Sequence, residues 1–365
     1  MARRLRLTRM VRLKDIAKYA GVSVMTVSKA LRDGPDVSAA TKSRIKQLAQ
    51  QMGYVPDSLA QGLRAKTTKL FGLVIPSITN PVYGRIVFAI EERAHEMGYD
   101  ILLAHTHNMP AREETCIRRL LSRRVDGLFI SPVYRFEAEA RIYQEVLARK
   151  IPTVLIGPPA PFCKSFPSVE VEEVAASQSA TQHLLKLGHK RIAYLTGPST
   201  APWALERFEG YRRALREAGL DVDDKLVFQA GSTIEEGMKT ATQMLNESCN
   251  ATAIQAVNDL VAIGCAEVLL SKGLHIPKDI SIVGFGNVLM AEHCCVPLTT
   301  VRQPKFRLAN AAMDTMMNLL QGQPVEVKRL AAELIERRRP PHLRLNMDTH
   351  RPPINIHRCI EFADS

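Results

Sequence analysis

The sequence predicts an all-α helix-turn-helix head joined to an α/β core made of two doubly wound parallel-sheet lobes. Three observations carry this expectation. Positive charge is concentrated in the first fifth of the 365 residues. A glycine interrupts two short amphipathic segments inside that basic stretch. From residue 70 onward, short apolar runs alternate with helical periodicity.

The head comes first in the chain. Residues 1–66 hold fourteen lysines and arginines against four aspartates, a net +10, while the whole chain is +12. Such a block is the electrostatic footprint of a polyanion-binding surface, because phosphate neutralisation releases counterions. The run LKDIAKYAGVSVMTVSKALRD starts at Leu13. Ile16, Ala17 and Ala20 recur at helical spacing, which makes one apolar stripe. Gly21 suits the left-handed backbone of a tight inter-helix turn. Ser23 is a good N-cap, and Val27, Ala30 and Leu31 give the second helix its buried face. The first turn of that helix then presents Val24, Met25 and Ser28 outward beside Lys29. A third helix is expected from Ser38 to about Met52, stopped by Gly53. The second helix of a helix-turn-helix enters the major groove with its N-terminal residues at base edges.

A short linker follows, from Pro56 to Lys66. Asp57 or Ser58 can cap a brief helix there, although Gly62 costs about 1 kcal/mol relative to alanine. So short a helix is marginal alone in water and needs support from outside itself.

The core occupies the rest. LFGLVIP (70–76), DILLAH (100–105), GLFIS (127–131), TVLIG (153–157), RIAYLTG (191–197), AIQAVND (253–259) and ISIVGFG (280–286) read as buried parallel strands, each followed by a helix. Two such sets make two lobes, with a ligand expected between them at the carboxyl ends of the strands.

The run VRLKDIAKYAGVSVMTVSKALRDGPDVSAATKSRIKQLAQQMGYVPDSLAQGLRAKTTKLFGLVIP resembles the head of the lactose-repressor (LacI/GalR) family, and the resemblance continues to about Arg339. It implies a core like that of the periplasmic sugar-binding proteins, with the chain crossing between lobes near Phe166, Thr299 and Leu330. It divides the chain into a DNA-binding domain (1–55), a hinge (56–66), a two-lobed effector-binding and dimerisation domain (67–340) and a tail (341–365). Val24, Met25 and Lys29 match positions that read bases in the family, and Thr26 and Ser28 match positions that hold phosphates. Lysine can donate to guanine, whereas valine and methionine offer apolar contacts such as one to a thymine methyl. In the hinge, Leu63 matches a leucine that wedges into the minor groove, with Ala60 one turn earlier and Arg64 near the backbone.

For the cleft, the resemblance implies effector contacts from Tyr83, Arg207, Asn258 and Asp259. Trp203, four residues before Arg207 on what reads as one loop, is expected to line the same cleft. Many sugar-responsive members carry an aspartate where this chain has Gly157 and Gly286. With Arg207 kept, an acidic or phosphorylated sugar is the expected effector.

The resulting expectation is a regulator of transcription, a repressor whose affinity for a near-palindromic double-stranded operator is set by a sugar-like effector. It is expected to act as a homodimer, since the tail after Arg339 lacks an apolar heptad repeat for further assembly. A small-molecule signal would act by changing whether paired hinges can fold together.

Other classes fare worse. No P-loop, G-x-S-x-G or H-E-x-x-H occurs, so no enzyme is expected. Asp259 with His183 or His189 has no recognisable catalytic spacing. Seven scattered cysteines without a C-x-x-C pair point to a reducing compartment, with no metal or cofactor site. The basic N-terminus lacks the apolar stretch of a secretory signal, and no apolar run spans a membrane. A cytoplasmic, nucleoid-associated protein is the expectation, rather than a transport protein.

Overall fold

A helix of eight residues, α1 (Leu13–Ala20), opens the structure, a computed structural model that describes residues 11–55 and 67–337. It ends at Gly21, whose φ of 66° lets the chain reverse into α2 (Val24–Leu31). Ser23 caps α2 by accepting from the Thr26 amide at 3.0 Å, and Ser38 caps α3 (Ala39–Gln51) in the same way at 3.3 Å. Ile16, Ala17, Ala20, Val27, Ala30, Ile45 and Ala49 close a small core between the three helices. Arg44 of α3 donates to the Ala20 carbonyl at 2.7 Å, meeting an orphan acceptor at the end of α1. The capping residues and apolar stripes read from the sequence are those the head uses.

The chain divides into two units, one ending at Thr68 and one starting at Lys69. The second unit holds two six-stranded sheets. In lobe 1, β1 (Leu70–Ile75), α4 (Pro81–Glu96), β2 (Asp100–His105), α5 (Pro110–Ser122), β3 (Gly127–Ile130), α6 (Arg141–Ala148), β4 (Thr153–Ile156) and β5 (Ser168–Val171) follow one another. The chain then passes at Glu172 into lobe 2. There it forms α7 (Glu173–Lys186), β6 (Ile192–Thr196), α8 (Pro202–Glu217), β7 (Val227–Gln229), α9 (Ile234–Asn246), β8 (Ala253–Ala256), α10 (Asp259–Ser271), β9 (Ser281–Phe285), α11 (Leu289–His293) and β10 (Thr299–Arg302). It returns to lobe 1 for α12 (Lys305–Leu320) and β11 (Lys328–Leu330), then crosses once more to β12 (Glu333–Ile335).

The strand orders are β11-β5-β4-β3-β1-β2 and β12-β10-β9-β8-β6-β7. All pairings are parallel except that of β12 with β10. In each sheet the order reverses beside the first strand, so a crevice opens between the ends of β1 and β3 and between those of β6 and β8.

Three expectations need correction. The first two crossings fall later than Phe166 and Thr299, at Glu172 and at Gln303–Pro304, because β5 and β10 complete their sheets before the chain leaves. The run 253–259 is not strand to its end: β8 stops at Ala256, and Asn258 caps α10 by accepting from the Val261 amide at 2.8 Å. β5 and β7 escape the apolar-run reading, since β5 alternates Ser168 and Glu170 with valines and β7 has only three residues.

Glycine 210 sets how the two helices at the cleft meet. A Cβ there would lie 2.3 Å from the Val174 carbonyl oxygen and 2.8 Å from the Gln178 amide nitrogen, so only glycine lets α8 rest on the backbone of α7.

Candidate nucleic-acid interface and ligand cleft

The head exposes α2. Met25 is 61% exposed and Val24 45%, apolar side chains left in water at the start of the helix. Thr26 bonds Ser23 through its hydroxyl, and Ser28 receives Arg32 at its hydroxyl (3.1 Å) and carbonyl (3.0 Å). Lys29 is folded onto Asp36 at 2.6 Å, a partner the sequence reading did not foresee. That ion pair holds the Asp36 carboxyl below its ordinary range. Both groups stand in water, where such pairs are weak, so the ammonium can be traded to another acceptor. Tyr19, 76% exposed, adds an aromatic surface on α1. Ala60, Leu63 and Arg64, the expected hinge contacts, lie outside the described residues.

In the second unit the structure gathers side chains from both lobes. Tyr83 stands in the first turn of α4, which Asn80 caps by accepting from the Val82 amide at 3.0 Å. Its hydroxyl meets that of Ser131 at 3.0 Å, bridging the crevice between β1 and β3. Burial pushes the Tyr83 phenol above its ordinary pKa. Across the cleft, Trp203 and Arg207 are on a helix, α8, and not on a loop as the sequence suggested; Pro202 starts that helix directly after the strand-end turn. Four residues apart, they share one face, and the guanidinium lies 4.8 Å from the indole ring centre. Arg207 Nη1 donates to the Val257 carbonyl at 2.7 Å, which spans the crevice between β6 and β8.

The charge of Arg207 is already met. Its guanidinium donates to both oxygens of Glu173, at 2.7 Å and 3.1 Å, and lies 3.6 Å from the centre of the Phe285 ring. Both side chains of the pair are almost fully buried, at 7% and 4% exposure. A buried guanidinium without a counter-ion is costly, so the fold supplies one. The reason for expecting an acidic or phosphorylated effector therefore falls away, because Arg207 has no uncompensated charge to offer. Glu170, Glu206 and Arg329 stand close by, and the Arg329 guanidinium lies 3.2 Å from Glu170 and 3.8 Å from Glu206. Burial raises the Glu206 carboxyl above its ordinary range, opposed by Arg329.

Asp259 also differs from expectation. It is 1% exposed, accepting from the Thr300 hydroxyl at 2.5 Å and from the Val288 amide at 2.8 Å. Burial raises its pKa against those two bonds. Its carboxylate is spent on holding the turn after β9, so it positions the cleft wall instead of facing a ligand. Asn258 is similarly engaged, capping α10 and donating to the Ser232 carbonyl at 3.0 Å.

Two side chains that the sequence reading missed join the lobes. Val82 and Tyr134, both from lobe 1, pack against the apolar core of lobe 2. The Tyr134 hydroxyl donates to the Pro158 carbonyl at 2.8 Å, and a Cβ on Gly157 would meet it at 3.1 Å. The phenol thus fills the space beside Gly157. Tyr134 follows β3 by four residues, so proximity to a strand end was a usable signal. Its loop is anchored by Glu113, a fully buried carboxylate that accepts from the Val133 amide at 2.7 Å, from Tyr143 at 2.8 Å and from Arg135. Glu173 was hidden because β5, which precedes it, was not read as a strand.

Among the described residues, no group of three or more histidines, cysteines or acids is placed to hold a metal ion, and no helix is long and apolar enough to cross a membrane.

Comparison with known proteins agrees with this geometry. Residues 12–57 match the family model of bacterial regulatory proteins, lacI family, and residues 181–338 match a periplasmic binding protein-like domain. The chain is 33% identical over 290 residues to the HTH-type transcriptional regulator DegA of Bacillus subtilis, covering 80% of this chain and 86% of that protein. It is 30% identical over 321 residues to the ribose operon repressor of Escherichia coli, covering 88% and 96%. Among solved structures, the lac repressor dimer bound to operator and the anti-inducer ONPF superposes with a TM-score of 0.80 at 28% identity, covering 90% of this chain and 98% of that one. A transcriptional regulator CelR–cellobiose complex superposes at 0.68 with 27% identity, covering 89% and 98%.

The ion pair can be tested directly. Glu173→Gln leaves a buried guanidinium uncompensated and should lower stability by about 3–5 kcal/mol. Urea unfolding followed by the fluorescence of Trp203 measures it, and Glu173→Gln combined with Arg207→Met should recover part of the loss.

Proposed function

Because the chain belongs to the LacI family of bacterial regulatory proteins, we propose that it is a sequence-specific DNA-binding repressor governed by a small ligand held between its two lobes. One observation carries the reading: a basic helix-turn-helix head with exposed Val24 and Met25 at the start of its second helix stands on the same chain as a two-lobed cleft. In this reading Val24, Met25 and Lys29 contact bases, and Thr26 and Ser28 contact phosphates. Lys29 gives up Asp36 on binding, and the Ser28 hydroxyl donates to a phosphate while its oxygen still accepts from Arg32. Leu63 wedges into the minor groove, with Ala60 one turn earlier and Arg64 near the backbone. A helix-turn-helix dimer reads two half-sites, so a near-palindromic operator follows.

The dimer has a surface to form on. Phe88 of α4 and Phe306 of α12 meet edge to face at 6.3 Å, and Leu289 and Met290 of α11 stand exposed beside the same groove of about 1040 Å³. Apolar side chains gathered in this way in water mark an association surface. A second copy of the chain is the partner that a palindromic site calls for.

The cleft supports an uncharged, ring-bearing, hydroxyl-rich ligand. Trp203, Tyr83 and Tyr134 supply ring faces and phenols, while the Arg207–Glu173 pair offers remaining N–H groups and carboxylate lone pairs without net charge. Ordered donors and acceptors of both kinds suit sugar hydroxyls, whereas a phosphate or carboxylate would sit beside Glu170, Glu173 and Glu206.

Three measurements test this function. Selection of bound DNA from a random pool should return a palindrome, with affinity falling roughly 10³-fold or more between 50 and 200 mM salt and weakened by Leu63→Ala; failure to retain any DNA at low salt overturns the reading. Isothermal titration with D-ribose, D-glucose and cellobiose against gluconate and glucose 6-phosphate should show binding confined to neutral members, and tight binding by the anions alone refutes the ligand class. Phe88→Glu should convert the dimer to monomer in sedimentation velocity and weaken binding to the palindrome more than to a half-site.

A further inference from the structure

Lysine 305 is the first residue of α12, a helix that belongs to lobe 1 through Leu308, Ala309, Ala312, Met313 and Met316. Its ammonium nevertheless reaches lobe 2. It donates to the carbonyl of Gly286 and, at 3.2 Å, to that of Asn287. These two residues make the turn after β9, both with left-handed backbone at φ 132° and 49°. The turn lies at the seam of the cleft, since a Cβ on Gly286 would be 3.5 Å from Val82 Cγ2 of lobe 1.

The backbone amides of the turn and the Asn287 side-chain oxygen are met from within lobe 2 or the last crossing. The Gly286 amide donates to the Val301 carbonyl at 2.7 Å and the Asn287 amide to the Thr300 hydroxyl at 3.3 Å. The Val288 amide is taken by Asp259, and the Asn287 side chain accepts from Arg337 at 2.7 Å. Among the described residues, Lys305 brings the one hydrogen-bonded tie that comes from a lobe 1 helix.

Global stability does not favour this placement. Half-buried, with carbonyls instead of a carboxylate for partners, the ammonium pays a desolvation cost. Burial lowers its pKa to about 8; Asp259 of α10 opposes that shift, while Arg85 of α4 and Arg302 of β10 add to it. The acids that share its groove are engaged elsewhere, Glu292 of α11 with Arg337 and Glu333 with Arg302. Arg307, on its own helix, adds a further positive charge to the groove. A costly charge kept on two carbonyls points to a role in position.

We propose that Lys305 is a positioning residue of the cleft, tying the Gly286–Asn287 turn to the start of α12. A ligand that displaces the turn then displaces the helix bearing Phe306, on the face assigned above to dimerisation. The tie rests on the hydrogen bonds alone; its role in signalling rests on the regulator reading.

Residue-resolved amide hydrogen exchange on the full-length protein, without DNA or ligand, tests the tie. Lys305→Met should lower the protection of Asn287 and Val288 by about tenfold, with the urea midpoint not reduced, and Lys305→Arg should retain most of the protection. In the wild type, protection of these amides should fall as pH rises through about 8. The contribution of Lys305 to global stability should move the opposite way. Its folded pKa lies below the ordinary lysine value, so between the two the unfolded chain binds the extra proton and stability climbs with pH. A lysine with a merely structural role would move both readings together. Equal protection in wild type and Lys305→Met, a loss in Lys305→Arg as deep as in Lys305→Met, or a global loss large enough to account for the local one overturns the proposal. Because neither DNA nor ligand is used, the tie and the regulator reading fail separately.

Discussion

A guanidinium buried between two lobes has to be neutralised where it lies, and much of the cleft follows from how Arg207 meets Glu173. The pair exists only because α8 rests on the backbone of α7, an approach that Gly210 permits and any larger residue would block. With the charge cancelled, the guanidinium becomes a rigid fork of donors held against the rings of Phe285 and Trp203. Net charge in the cleft is thereby low, while hydrogen-bonding capacity stays high. The same interaction ties the first residue of lobe 2 after the crossing to the end of β8, so the crossing and the cleft wall share one set of atoms.

The second organising feature is the pair of strand-order reversals. Each lobe places its crevice at the carboxyl ends of its strands, and the two crevices supply the facing walls of the cleft. Tyr83 bridges one reversal and Arg207 the other. Val82 and Tyr134 then join lobe 1 to the core of lobe 2. Around the turn after β9, Asp259, Thr300 and Lys305 converge from three separate elements and Arg337 from the segment after β12. Contacts of this kind have discrete alternatives, which is what a two-state device needs.

The distribution of charge separates the two jobs. The first 66 residues carry nearly the whole excess of positive charge, whereas the remainder is close to neutral. Long-range attraction to a polyanion is therefore concentrated in the first 66 residues, which include a three-helix unit with a minimal core of its own. The core can change its ligand chemistry without altering that attraction.

The sequence by itself determined the head and the class of the core. Gly21, Ser23 and Ser38 act through neighbours one turn away, and apolar periodicity reports a buried face directly, so those elements were legible residue by residue. The strands built from continuous apolar runs were legible for the same reason, but β5 was not, because Ser168 and Glu170 look solvent-facing until both sheet faces are covered. Tyr83 and Arg207 were implied by the family resemblance and Trp203 by its spacing from Arg207, and the tertiary structure brings Tyr83 and Arg207 to the two crevices. What each one does there was decided by partners distant in sequence. Glu173 lies 34 residues from Arg207, Thr300 lies 41 from Asp259, and Gly157 is 23 positions beyond Tyr134. Local pattern fixes which groups reach the cleft; only packing fixes whether a charge that arrives there is free or already paired, because that depends on groups no local period can link.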